Sequence, residues 1–67
     1  MDRQSVQSSN VASIGYSDGT LEVEFKNGSV YQYAGVPGEV YLGLLAADSK
    51  GSYVYRMVRS TYKGVRV

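Results

Sequence analysis

Leu21 to Pro37, LEVEFKNGSVYQYAGVP, decides the fold of this chain. Leu21, Val23 and Phe25 alternate with Glu22, Glu24 and Lys26, the period of two expected of a half-buried strand. Asn27-Gly28 comes next, a pair that tolerates positive φ and gives the strongest short-range hairpin signal. Ser29 to Ala34 then supplies the returning strand and carries Tyr31 and Tyr33. Two closures are open. A two-residue turn at Asn27-Gly28 pairs Phe25 with Val30 and leaves both tyrosines beside Glu22 and Glu24 as an exposed platform. A three-residue loop, Lys26-Asn27-Gly28, reverses the parity and sets Tyr31 with Val23 and Tyr33 with Leu21 on the core face. The core of so small a domain needs the rings, which favours the longer loop.

Upstream, Val11 to Tyr16 alternates weakly (Val11, Ser13, Gly15 against Ala12, Ile14, Tyr16) and is expected to add a strand, joined through a turn at Ser17-Asp18-Gly19. Downstream the period changes. Gly35 breaks the strand, Pro37 suits a first helical turn, and Glu39 complements the positive end of the helix dipole. Val40, Tyr41, Leu44, Leu45 and Ala47 repeat at helical spacing, predicting a helix over about 37–47. Asp48-Ser49-Lys50-Gly51 interrupts it, with Ser49 a candidate N-cap for a second helix over about 52–62. On that helix Val54, Met57, Val58 and Thr61 are expected to face the sheet, with Arg56, Arg59 and Lys63 opposite and Tyr55 and Tyr62 along one border. Gly64 reads as the left-handed residue that ends it. Residues 1–10 are expected to be a flexible arm and 11–67 a single domain. The fold class is α+β, a three-stranded antiparallel β-meander followed by two helices packed on one face of the sheet.

Sixty-seven residues make one domain, which at this size buries only about 60% of its unfolded surface. Seven tyrosines offer large buriable rings with polar tips. Cysteine and histidine are absent, which excludes disulfides and the ordinary zinc sites and removes the usual nucleophile and neutral-pH acid–base group. Ser49 and Lys50 are adjacent on a turn, where a catalytic dyad diverges. Glu22 and Glu24 share a strand face but lack a third ligand for a hard cation. No enzyme activity, metal or cofactor is therefore expected. The opening MDRQSVQSSN has no apolar h-region, and Val40 to Ala47 falls far short of the roughly 20 residues of a membrane span. No membrane association is expected, and the cytoplasm is the default compartment.

Charge is divided along the chain. Residues 1–49 hold two bases against six acids, net −4, while Lys50, Arg56, Arg59, Lys63 and Arg66 stand without an acid after them, net +5. A basic end on an acidic domain points to an anionic partner, unless the two halves pair with each other.

The ordered set L-x-V-x-F-x-N-G, Y-x-Y, V-P, A-x-S-x-G-x-Y and R-x-x-Y resembles the KTSC domain family. Here it is carried by Leu21, Val23, Phe25, Asn27, Gly28, Tyr31, Tyr33, Val36, Pro37, Ala47, Ser49, Gly51, Tyr53, Arg59 and Tyr62. It covers about Ser9 to Arg66 and departs at Val54, where relatives tend to carry an aromatic. That family occurs at the C-terminus of some lysyl-tRNA synthetases and as a stand-alone bacterial or phage protein. RNA binding has been suggested for it, and the resemblance implies no established activity.

The functional expectation is a small non-catalytic binding module. Lys50, Arg56, Arg59, Lys63 and Arg66 would bind phosphates of a nucleic acid, RNA first, with Tyr55 and Tyr62 stacking on bases. Against this stands a plain solvated helix face. Ser49, Lys50 and the free backbone N–H groups before the second helix form a second candidate, an anion pocket for a nucleotide or phosphorylated ligand. A plain serine cap explains the same residues. A protein-interaction module or homo-oligomer is the alternative, with tyrosines and Val54 on an exposed patch.

Overall fold

The chain runs β1 (Gln4–Ser5), β2 (Val11–Ser17), β3 (Thr20–Phe25), β4 (Val30–Tyr33), α1 (Gly38–Ala46), α2 and β5 (Gly64–Arg66) in a computed structural model that describes every residue, Met1 to Val67. The helix α2 opens as Lys50–Tyr53 and continues in π-helical turns through Val54–Arg59. The five strands lie in sequence order, each antiparallel to the next. Both helices sit in the connection between β4 and β5. No helix is long and apolar enough to cross a membrane.

The three-residue closure is the one that forms. Phe25 N–H donates to the Ser29 carbonyl at 2.9 Å, Gly28 N–H to the Phe25 carbonyl at 2.9 Å, and Gly28 takes a φ of +93°. Leu21 then faces Tyr33 and Val23 faces Tyr31. The turn between β2 and β3 has Asp18 and Gly19 both at positive φ, as a two-residue hairpin turn requires.

The sheet has five strands where the sequence pattern predicts three. Gln4–Ser5 pairs with Ile14 and Ser13, so the segment expected as a free arm supplies an edge strand. Gly64–Arg66 pairs with Tyr33, Gln32 and Tyr31 at the other edge. Gln4–Ser5 shows no apolar–polar alternation, and Val65-Arg66-Val67, readable as an extended tail, is too short for its alternation to mark a strand. They are held by backbone hydrogen bonds, and a hydropathy pattern registers burial rather than pairing. The alternation expected in β2 also fails at one point. A bulge between Val11 and Ser13 brings Val11 onto the same face as Ile14, where both are fully buried.

The core joins Val11, Ile14, Leu21, Val23 and Tyr33 of the sheet to Val36, Leu44, Val54 and Val58. Tyr16 stacks on Tyr41 of α1 with ring centroids 4.7 Å apart, and Tyr53 donates its hydroxyl to the Val40 carbonyl at 3.0 Å, tying α2 to α1. On α2, Val54 and Val58 are buried as expected, but Met57 is 48% exposed and Thr61 is also exposed. The wider i→i+5 turn moves successive residues around the axis more slowly than an α-turn. It keeps Val54 above Val58 and swings Met57 outward. Gly64 does not end the helix in the left-handed region. It begins β5, and a Cβ there would lie 2.5 Å from Cε1 of the buried Tyr33 ring.

The sheet's other face is polar and largely satisfied from within. Glu22 is 5% exposed. Its carboxylate accepts from Gln32 Nε2 at 2.7 Å and is ion-paired with Arg3. Arg3 Nε also donates to Ser13 Oγ at 3.0 Å, and Ser13 Oγ donates to Glu24 Oε1 at 2.7 Å. The Arg3 guanidinium thus pairs with both carboxylates of this polar face. The Gln32 hydrogen bond, reinforced by Arg3 against the opposing effect of burial, holds the Glu22 carboxyl below its ordinary value of 4.5.

Two stability predictions follow from this packing. Gly64→Ala drives a methyl into a ring that cannot yield and should cost about 1–3 kcal/mol in urea unfolding. Val65→Ala, one residue along and exposed, should stay within about 0.5 kcal/mol of the parent. Glu22→Gln should cost about 1–3 kcal/mol at pH 7. Because folding depresses this carboxyl, its stabilisation is complete above pH 4.5 and is lost as pH falls through the lower folded value. Thermal unfolding from pH 7 to pH 2.5 should therefore show the parent and Glu22→Gln converging in acid.

Candidate nucleic-acid interface

Ser49 caps α2, its Oγ accepting the Ser52 N–H at 3.4 Å. Lys50 extends the other way, donating from Nζ to the Ala47 carbonyl at 3.1 Å just past the end of α1. Of the pair expected to form an anion pocket, Ser49 caps its own helix and Lys50 bonds back to the end of α1.

The basic side chains that do converge come from the π-helical turns and the hairpin loop. A groove of about 640 Å³ opens between them. It is lined by Tyr55, Arg56 and Arg59 of α2, by Lys26 and Asn27 of the loop, and by the rings of Phe25, Tyr31 and Tyr33 together with Val54. Tyr55 is 65% exposed, and the Arg59 guanidinium lies 5.4 Å from its ring centroid. The stacking holds the cation in place without neutralising it. Tyr31 and Tyr33 lie with ring centroids 6.5 Å apart and nearly parallel, and Phe25 meets Tyr31 edge-on at 6.0 Å.

The electrostatics of the groove are one-sided. No Asp or Glu lines it, and both ion pairs of the chain are made by Arg3 with Glu22 and Glu24 on the far face. Lys26, Arg56 and Arg59 are free of acidic partners. Tyr33 is 2% exposed, and burial raises its phenol above the usual value, with the Arg59 charge working in the opposite direction. Its hydroxyl makes no hydrogen bond within the chain, although no buried polar atom is left sealed without a partner, so its tip opens onto the groove.

Five cations were expected to share one stripe, and the structure divides them. Arg56 and Arg59 line the groove, while Lys50 bonds to the end of α1. Arg66 lies opposite Tyr31 in the sheet register, at the edge, and Lys63 is exposed in the turn before β5. Of the two expected stacking rings, Tyr55 is available. Tyr62 is half-buried against the core. Sequence reasoning did not place Lys26, Asn10 or the tyrosine floor in the site. The three-residue loop was the available clue, since it turns Tyr31 and Tyr33 toward the helices. Where α2 crosses the sheet had no counterpart in the pattern.

Comparison with known proteins agrees with this architecture. The KTSC domain model matches residues 7–62. A protein of Stutzerimonas stutzeri is 47% identical over 55 residues, spanning 79% of this chain and 78% of its own length. One of Tsukamurella paurometabola is 38% identical over 64 residues, spanning 92% and 96%. The crystal structure of a KTSC domain protein from Yersinia pestis superposes with a TM-score of 0.89 at 35% identity, covering 98% of this chain and 96% of that one. With fold, motif order and sequence identity in agreement, this chain belongs to the KTSC domain family.

Proposed function

We propose that this domain is a non-catalytic module that binds single-stranded RNA in the groove between the β3–β4 hairpin and α2. The carrying observation is that Arg56, Arg59 and Lys26, none paired with an acid, surround a surface of tyrosine rings. Phosphates would follow the two guanidinium groups and the ammonium group, and a base would stack on Tyr55. A single strand fits better than a duplex, because a base can reach an aromatic side chain only when it is unpaired. No carboxylate lines the groove to repel phosphate, and the chain has no histidine or cysteine to activate a nucleophile. RNA binding also calls for the cytoplasm as the working compartment.

A second proposal, self-assembly, draws on the apolar side chains left in the open. Leu42, Val65 and Val67 are exposed, and β5 has one backbone edge unpaired. Val54, expected on such a patch, is buried and takes no part. Equilibrium sedimentation separates the two. A monomer that binds RNA supports the groove, and a concentration-dependent dimer supports the edge.

The RNA proposal predicts a salt dependence. With three cations engaged, log K should fall against log salt with a slope of about −2, since each neutralised phosphate of a single strand contributes about 0.7. Fluorescence anisotropy with a labelled ten-nucleotide RNA between 25 and 200 mM salt measures it. Arg56→Gln and Arg59→Gln should each weaken binding and flatten the slope by about 0.7. A salt-independent interaction, or none at 25 mM, overturns the proposal.

A further inference from the structure

Resting on that RNA-binding reading, we infer that the binding track continues from the groove past Tyr31 to Arg66, which holds a further phosphate at the β5 edge. The observation behind this is a strand whose two faces are inverted. Residues directly opposite in neighbouring strands share one face of the sheet. Arg66 is opposite Tyr31 and Gly64 is opposite Tyr33, so both lie on the face that carries the core and the groove. Val65 is opposite Gln32, and the Val67 N–H donates to the Val30 carbonyl at 2.9 Å. Gln32 and Val30 are themselves opposite Glu22 and Glu24, which puts both valines on the polar face. There they are 58% and 64% exposed.

Burial alone favours the reverse. In an antiparallel sheet with one covered face, apolar side chains turn toward the cover and charged ones toward water. The Tyr33 ring accounts for Gly64, since a Cβ there would lie 2.5 Å from Cε1, and this contact sets the register. It places no demand on the residue two positions along. That residue is an exposed arginine without an acid partner, because both ion pairs of the chain belong to Arg3. Opposite residues have Cβ atoms about 5 Å apart, and Tyr31 lines the groove, so Arg66 adjoins the groove through that ring. A groove of about 640 Å³ is the size of a site for one small ligand, and a longer strand must leave it. Past Tyr31 it meets a guanidinium, whose planar fork of donors suits a phosphate.

The labelled ten-nucleotide RNA tests this. A fourth cation should steepen the salt slope of the parent from about −2 to about −3. Arg66→Gln should return the slope to about −2 and weaken binding by about 2- to 5-fold. Lys63→Gln removes the same charge from an exposed side chain three residues away, and should leave the slope near that of the parent. Both variants should unfold at the parent's midpoint, since neither side chain is buried or paired. Added RNA should also shift the amide NMR signals of Tyr31 and Arg66 together with those of Arg56 and Arg59. A parent slope that stays near −2, a Lys63→Gln effect equal to that of Arg66→Gln, or an unmoved Arg66 signal overturns the extension while the groove stands. Absence of RNA binding at 25 mM salt overturns both proposals.

Discussion

The hairpin loop Lys26–Gly28 sets the pairing of β3 with β4, and the facing of the sheet around it follows from that pairing. Side chains alternate along a strand, so a closure one residue shorter would exchange the two faces of β4. Tyr31 and Tyr33 would then lie against Glu22 and Glu24, and the core would lose its largest side chain. The glycine at φ +93° makes the longer closure inexpensive, because a residue with a Cβ is strained there. A loop of three residues thus determines whether this small domain has enough apolar material facing its helices.

The same parity separates charge. With Leu21 and Val23 turned inward, Glu22 and Glu24 turn outward, and Arg3 reaches them from beside β1. Two of the six acids in that part of the chain are paired with a base from its own end. Pairing between the acidic and basic halves would have consumed Arg56 and Arg59, and the geometry does not provide it. Repulsion between those two arginines is tolerated at an exposed, hydrated wall, where charges interact weakly.

What the pattern made legible was what burial writes into a sequence. The strands β2, β3 and β4, the helix α1 and the N-cap at Ser49 lie where alternation, helical spacing and capping chemistry put them. The pairing of the edge strands was not legible, although Val65–Val67 reads as an extended tail, because Gln4–Ser5 and Gly64–Arg66 are held by backbone groups common to every sequence. The π-helical turns were invisible because a hydropathy wheel assumes 100° per residue, and Met57 was misplaced for that reason. The cations could be counted but not located. Lys26 reached the groove through the fold of the hairpin, and Lys50 left it by bonding to Ala47.

Tyr33 joins the two halves of the structure. For packing alone, phenylalanine would cover Gly64 and fill the same space without introducing a hydroxyl. That hydroxyl is not sealed in the core, since no buried polar atom lacks a partner, and it meets solvent at the groove. The groove is lined in part by the π-helical turns of α2 at Val54–Arg59, a distortion frequent at functional sites. The wide turn buries Val54 and Val58 while presenting Tyr55, Arg56 and Arg59 around that hydroxyl. A tyrosine in a strand and a widened turn in a helix meet at the same opening.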